Sequence, residues 1–421
     1  MGPADMMVST MATSVRYGLR GAVVTMDAGV VLSDAVVYVD NGTRRITAVR
    51  GPGDPPPAGF EAAPVVNTGG TIYPGLIELH NHLPYNILNL WRVPKQYDNR
   101  DQWPNHPDYL KLVRGPIQTL GNVHADKHLA AMVRYVEAKC LMGGVTTSQG
   151  ITLSGVNPQK HFQGNVRNVE STGEKALPNA DAKVGDLLDG DAAKFRAELL
   201  KKTCFLLHLS EGRQGDDHAL QRFDRLRLLD GATWAITPAL AGIHSAALRK
   251  QDLAILAENG GAMVWSPFSN LLLYGTTADV VTAKQKGIRI ALGSDWAPTG
   301  TKNLLGEIKV ARLFSQNNGN VFSDEELVKM ATTEACRILK WDGVAGQVKE
   351  GMFADLMVIA KTGGNAYARL VEATEADIAL TVIGGAARYG RKTHLEKLGI
   401  SWSEFRQRQP DRKSLSTPAL P

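Results

Sequence analysis

Several polar side chains in this sequence stand where apolar runs end, and together they could bind a metal and move a proton. IYPGLIELHNH carries His80 and His82, two residues apart, at the end of an apolar strand. Strand side chains alternate faces, so both imidazoles point the same way, and two neutral imidazoles at that spacing can share a divalent metal. CFLLHLSEG ends another apolar run in His208, with Glu211 three residues later. Glu211 is then close enough to exchange a proton with a water held by that metal. ALAGIH ends in His244, and IALGSDW puts Asp295 at the end of a buried run, where a carboxylate is costly unless paired or bound to a cation. Each feature also has a plainer reading. The histidine pair could cap a loop, His208 could be a core residue beside a helix-starting glutamate, and His244 and Asp295 could cap the helices that follow. Taken together, the plain readings require several polar groups to fall by accident at the ends of consecutive strands of one sheet, so the functional reading is preferred.

The elements that must position these residues follow from periodicity. From Val15 to Asn67 the sequence reads as short strands (AVVTM, VVLSDAVVYVD, RITAVR) separated by turns. From Tyr73 to about Trp341, short apolar runs alternate with helical periods. Helices are predicted at Asp126–Met142, Asp191–Lys202, Asp217–Asp230, Leu248–Asn259, Thr277–Lys286, Asn303–Asn317 and Asp324–Leu339. Strands are predicted at Thr203–His208, Trp234–Leu240, Ala262–Ser266 and Arg289–Ser294. Repeated βα units imply a parallel sheet covered by helices, and an unbroken series favours a closed (β/α)8 barrel over an open sheet. The third and fourth strands cannot be placed between Ile151 and Gly190. FADLMVIA and IALTVIGGAARYG then return to strand character. The expected architecture is an α/β chain: a (β/α)8 TIM barrel with a small β-sandwich built from both chain ends. Residues 1–70 and 346–400 would form the sandwich, 71–345 the barrel, and 401–421 a loose tail.

Composition narrows the function classes. The chain has 421 residues, 43% hydrophobic and 21% charged, enough for a large core and too apolar for global disorder. Lys and Arg total 47 against 42 Asp and Glu, a balance of +5, which does not suggest a nucleic-acid or membrane-surface partner. No apolar run reaches the length of a membrane span, and the first residues lack the pattern of a secretory signal. Cys140, Cys204 and Cys336 are odd in number and far apart, which suits a reducing compartment and a cytoplasmic location.

On these motifs the sequence resembles the amidohydrolase superfamily of metal-dependent hydrolases. PGLIELHNH is similar to the family's first-strand PGxxxxHxH, and HLSEG to its fifth-strand HxxE. His244 stands at the sixth strand, SPFSN at the seventh and GSD at the eighth. ATTEACRILKWDGVAGQVKEGMFADLMVIA resembles the stretch where the family leaves its barrel for its β-sandwich. The resemblance runs from about Arg20 to Gly390. Its HxxE element is that of the branch holding cytosine, guanine and S-adenosylhomocysteine deaminases and the triazine hydrolases, which uses one metal. The resemblance therefore implies one divalent ion, zinc or alternatively iron, held by His80, His82, His208 and Asp295. It implies that Glu211 shuttles a proton, that His244 donates a hydrogen bond to the developing oxygen or aligns the nucleophile, and that Asp295 can accept a second proton. A two-metal site would need a carboxylated lysine on the fourth strand, where Lys175 and Lys183 stand.

The implied reaction replaces an amino or substituted amino group on a nitrogen heterocycle with hydroxyl. The alternatives are hydrolysis of a cyclic amide or urea-type C–N bond, or displacement of chloride. A non-enzymic scaffold of the same fold is a separate class, but such relatives have lost ligands that are all present here. A nucleic-acid-editing zinc deaminase would carry HxE and PCxxC, which are absent. The loop after the first strand holds Tyr85, Trp91, Tyr97 and Trp103, rings that could stack on a flat small-molecule substrate or simply pack the loop. Arg92, Lys95 and Arg100 could anchor a carboxylate, although such residues are more often solvated. Ser266 and Asn270 of SPFSN, and Trp296 after Asp295, are candidate substrate contacts. Gln149 reads as a plain strand end, and Cys204 as core. His106, His124, His128, His161, His218 and His394 read as loop or surface residues. Where the motifs should read Thr between the first histidines, this chain has Asn81. By resemblance a homo-oligomer is expected.

Overall fold

The computed structural model describes residues 6–8, 14–120, 126–150 and 164–400. Near the N-terminus lie β1 (Met6–Val8), β2 (Arg16–Val24), β3 (Val31–Asp40), β4 (Arg45–Arg50) and β5 (Val65–Pro74). Their β-branched residues suit a pleated, half-buried surface. Gly75 then carries the chain from β5 into the parallel region. A Cβ at Gly75 would overlap the Thr146 side chain, so the Gly75 backbone packs directly against that side chain.

The parallel strands are β6 (Leu76–Glu78), β7 (Val145–Ser148), β8 (Arg167–Asn168), β9 (Asp181–Lys183), β10 (Phe205–Leu209), β11 (Leu240–His244), β12 (Ala262–Trp265) and β13 (Ile290–Leu292). They form a three-stranded sheet, β6-β7-β8, and a five-stranded sheet, β13-β12-β11-β10-β9. Backbone bonds cross both seams. Leu79 N donates to Leu292 O at 3.3 Å, and Ala180 N donates to Val169 O at 2.8 Å. β8 has two residues and β9 three, too short to leave a period in the sequence. Residues 151–163 lie outside the described residues.

β14 (Leu356–Ile359), β15 (Ile378–Ile383) and β16 (Ala386–Arg391) follow the parallel region. They join the first five strands in one eight-stranded sheet, ordered β1-β16-β15-β14-β5-β2-β3-β4. The two chain ends meet twice in this sheet: β14 against β5, antiparallel, with Met357 opposite Tyr73, and β1 against β16, antiparallel, with Met7 opposite Gly390. Leu19, Val37 and Ile46 share one apolar cluster with Val358, Leu380 and Ala387. Among the described residues no helix is long and apolar enough to cross a membrane.

Three predicted elements are corrected. The strand predicted at Trp234–Leu240 is not formed; the strand is Leu240–His244. Pro238 has no N–H to give a ladder, and the backbone there turns instead, with Leu240 N on Thr237 O at 2.9 Å. The helix from Asp217 ends at Asp224 rather than Asp230. The helix predicted at Asp324–Leu339 is two helices, Asp324–Met330 and Thr333–Leu339. It breaks because Ala331 O leaves the helix to accept Ile77 N of β6 at 2.8 Å.

Candidate active site

The C-terminal ends of the parallel strands bring His80, His82, His208, Glu211, His244 and Asp295 together. His80 and His82 lie just beyond β6, His208 within β10, and Glu211 two residues past it. His244 is the last residue of β11, and Asp295 follows β13. His80 Nε2 is 3.2 Å from His208 Nε2 and 3.3 Å from Asp295 Oδ1, and His82 Nε2 is 3.6 Å from Asp295 Oδ1. All four groups are buried except His82, whose side chain is 20% exposed toward the cavity.

The backbone is forced into place at this centre. His244 and Asp295 both have φ near 65°, the left-handed region that costs a non-glycine residue about 1–2 kcal/mol. Asp295 is held there by two bonds to the histidine segment: its N–H donates to His80 O at 3.0 Å, and its carbonyl accepts from His82 N at 2.7 Å. Gly293, of the GSD motif, has no room for a Cβ, which would overlap His80.

Burial sets the charges. It pushes the His80 and His208 imidazoles well below their usual range, helped by the neighbouring imidazoles, and takes His82 down to about 4. Burial, then the Glu211 charge, pushes the Asp295 carboxyl well above the usual range. Burial would also raise Glu211, but His244, Arg100 and a hydrogen bond from Tyr274 together hold it below the ordinary carboxylate range. Three imidazoles kept neutral and one carboxylate without a cationic partner form a donor set that fits a divalent cation. Tetrahedral zinc with bonds of about 2.1 Å holds its ligand atoms roughly 3.4 Å apart, and the three separations above bracket that value.

The SPFSN motif has a different role from the one expected. Ser266 and Asn270 do not line the cavity; each holds a histidine. Ser266 Oγ lies 2.8 Å from His80 Nδ1, which leaves Nε2 facing the cluster. Asn270 Nδ2 lies 2.9 Å from His244 Nδ1. Ser269, not singled out from sequence, donates to Asp295 Oδ2 at 2.7 Å. One helical turn, at the start of the helix Pro267–Tyr274, thus orients three of the six groups. Gln149 accepts Asn81 N at 2.9 Å, so it supports the His80–His82 segment. Glu78 takes Ser294 N at 2.9 Å below the site.

A cavity of about 400 Å³ opens above the cluster, lined by His82, Tyr85, Arg100, Trp103, Tyr109 and Trp296, with Glu211 and His244 among its inner residues. Tyr85, Trp103 and Trp296 thus belong to the wall of this cavity. Trp91 does not: it is buried behind the wall against Tyr97 and Tyr109. Tyr109 was not singled out, because a loop sequence does not show which of its residues turn inward; of the three loop cations considered as carboxylate anchors, only Arg100 lines the cavity. Arg100 pairs with Asp186 at 2.5 Å and lies 3.9 Å from Glu211. Arg92 and Lys95 are exposed. A larger depression of about 530 Å³, lined by Asp189, Arg225 and Leu229, contains no member of the cluster.

The remaining predicted residues fall elsewhere. Lys175 and Lys183 are exposed, as is His128. His106 caps a short helix, and His218 pairs with Asp101. His394, expected at the surface, is buried on the helix Lys392–Lys397. Cys204 is buried, as expected. His124 and His161 lie outside the described residues.

Comparison with known proteins gives consistent results. Residues 207–388 match the model of the Amidohydrolase family. A 5-methylthioadenosine/S-adenosylhomocysteine deaminase from Caldicellulosiruptor saccharolyticus is 30% identical over 37% of this chain, though the match spans only 38% of that relative. A deaminase of the same name from Syntrophobacter fumaroxidans is 25% identical over 81% of this chain and 83% of its own length. Among solved structures, an adenosine deaminase from Xanthomonas campestris with bound zinc superposes with a TM-score of 0.67, at 18% identity, over 94% of this chain and 96% of that one.

Proposed function

We propose, on the match of residues 207–388 to the Amidohydrolase family, that this chain is a metal-dependent hydrolase that deaminates a flat nitrogen heterocycle. The observation that carries the reading is Glu211 Oε2, 3.7 Å from His244 Nε2, at the inner end of an aromatic-walled cavity beside the His–Asp donor set.

In this reading His80, His82, His208 and Asp295 would hold one divalent ion, zinc; ligand atoms of His80, His82 and Asp295 lie within 4.8 Å of one another, and the Xanthomonas neighbour carries bound zinc. A cation there would acidify water and so supply a nucleophile near neutral pH. The chain's own residues do the rest. Glu211, kept ionised by His244 and Arg100, takes the proton from the attacking water and delivers it to the ring nitrogen or leaving amine. His244 donates the proton on Nε2 as a hydrogen bond to the attacking oxygen and stabilises the charge that develops on it. Asp295, anchored by Ser269, can receive the second proton. Tyr85, Trp103 and Trp296 hold the ring and exclude water.

The same reading supplies the finer architecture. The two parallel sheets are the arcs of one eight-stranded barrel, closed through the seam bonds at Leu79–Leu292 and Val169–Ala180. The sheet from both chain ends curls into the small β-sandwich, which brings Ile46 and Ala387 into one cluster. The division at residues 1–70, 71–345, 346–400 and 401–421 follows from this. Three buried free cysteines fit a cytoplasmic protein, and a homo-oligomer is proposed on the family resemblance.

The test is to incubate zinc-loaded protein with amino-, alkylamino- and chloro-heterocycles, cyclic amides and aryl ureas, reading products by mass spectrometry with Glu211→Gln as control. Exchange of amino for hydroxyl, lost in the control, is the expected result. Addition of a whole water without loss of an amine would replace deamination with amide hydrolysis, and loss of chloride would indicate dechlorination.

A further inference from the structure

The mechanism above leaves one buried polar contact unused. Tyr274, the last residue of the helix Pro267–Tyr274, is 1% exposed. Its hydroxyl donates to Glu211 Oε1 at 2.7 Å and accepts from Trp103 Nε1 at 3.1 Å. Burial and the adjacent carboxylate raise the phenol far above its ordinary range, so it stays protonated and is the donor. We infer that Tyr274 is a positioning residue: it pins Oε1 of Glu211 so that Oε2 alone carries the proton, and Trp103 ties that arrangement to the cavity wall.

The geometry supports this from several sides. Oε2 is the oxygen that faces His244 and Arg100, at 3.7 and 3.9 Å, while Oε1 is taken by the phenol. A carboxylate free to rotate would present either oxygen at varying distance, and a misplacement of about 1 Å can cost about 100-fold in rate. The loop carrying Trp103 is stitched to both partners of the contact. Tyr97 N donates to Leu273 O at 2.7 Å, beside Tyr274, and Arg100 N donates to Glu211 O at 3.3 Å. Asn99 also bridges Gly212. A substrate stacked on Trp103 thus leans on the same hydrogen-bonded chain that sets the carboxylate.

The inference rests on the reading of Glu211 as proton carrier, and the experiment separates the two. Steady-state kinetics and bound metal are measured for Tyr274→Phe, Trp103→Phe and Glu211→Gln, and Tyr274→Phe is repeated in a Glu211→Asp background. Tyr274→Phe keeps the ring and should lower kcat about 50-fold, with KM within about 3-fold and full metal content. Glu211→Asp is too short to reach the phenol, so there the same change should cost less than about 3-fold. Trp103→Phe removes the indole N–H bond to the phenol while keeping Tyr274 itself, and should show a smaller kcat loss, so the inference can still be judged if Tyr274→Phe does not fold. Wild-type kcat in Tyr274→Phe, or in Trp103→Phe where Tyr274→Phe does not fold, would overturn the inference. So would equal losses in the two backgrounds, or a kcat loss that merely tracks lost metal, since either would make Tyr274 a packing residue. An inactive Glu211→Gln beside a fully active Tyr274→Phe would sink the inference alone. A fully active Glu211→Gln would remove the proton-carrier reading and the inference with it.

Discussion

The side-chain amide nitrogen of Asn270 lies 2.9 Å from Nδ1 of His244, and this contact decides where the imidazole keeps its proton. The amide's orientation follows from its neighbours. Trp265 N–H donates to Thr277 Oγ1 at 2.8 Å, so the Thr277 hydroxyl turns its proton toward Asn270 Oδ1 at 3.3 Å, which leaves Nδ2 for the histidine. Nδ1 then accepts, and Nε2 carries the proton toward Glu211 and the cavity. Asn270→Asp reverses the polarity of this contact and moves the proton to Nδ1. The expected outcome is a drop in kcat of about 100-fold with metal content unchanged. An active variant would show that His244 acts other than as a donor.

Metal binding should be pH-dependent, with affinity rising as pH rises. Burial keeps His80, His82 and His208 neutral, so they release no proton on binding. Asp295 is pushed well above its usual range and must lose a proton to become a ligand. Below that raised value the zinc Kd should tighten about tenfold per pH unit. Competition with a chelator at two pH values measures the slope, and a flat response would remove Asp295 from the ligand set.

Glu307 gives a separate effect on stability. It is buried, and burial raises its carboxyl from an ordinary 4.5 to about 7, although Thr301 and Phe268 N–H donate to it. Between those values the folded protein keeps a proton that the unfolded chain has released. The stability it contributes is therefore full below about 4.5 and is lost as pH rises toward about 7. The slope is at most about 1.4 kcal/mol per pH unit. Glu307→Gln should flatten the wild-type loss of stability across that window in denaturant titrations, and parallel curves would contradict the assignment.

Gly293→Ala places a Cβ into His80, against backbone as well as side chain. Neither can move without displacing the metal-side histidines. The variant should lose about 3 kcal/mol of stability and bind zinc weakly, seen together in thermal melts and metal analysis.

The two tryptophans of the aromatic region should separate in kinetics. Trp296 lines the cavity and Trp91 does not. Trp296→Phe should raise KM about tenfold, in line with a lost stacking contact of 1–2 kcal/mol, while Trp91→Phe leaves KM within about 2-fold and lowers Tm. The reverse pattern would misplace the substrate wall.

Much of the site was legible in the sequence because strand chemistry is local. His80, His82, His208, His244 and Asp295 each follow a short apolar run, and an alternating or buried run shows where a side chain leaves the sheet. The same logic failed for β8 and β9, whose two and three residues carry no period. It also failed at Trp234–Leu240, where Pro238 and a turn interrupt an apolar run. The split at Ala331 was hidden for a different reason: the cause is a β6 amide more than two hundred residues away in the chain.

Residue type and spacing determined which polar groups to look for, His80, His82, His208, Glu211, His244 and Asp295, since an HxH and an HxxE at strand ends carry their chemistry in their own side chains. Only the tertiary structure decided what each supporting residue does. Ser266, Ser269 and Asn270 sit together in one motif, yet they face His80, Asp295 and His244 at the ends of three different strands. Tyr274 looks like core at the end of an apolar helix until folding brings Glu211 and Trp103 to its hydroxyl. Such partners are set by which strand ends and loops converge in space, and a hydrogen bond between distant segments leaves no trace in the spacing of either one.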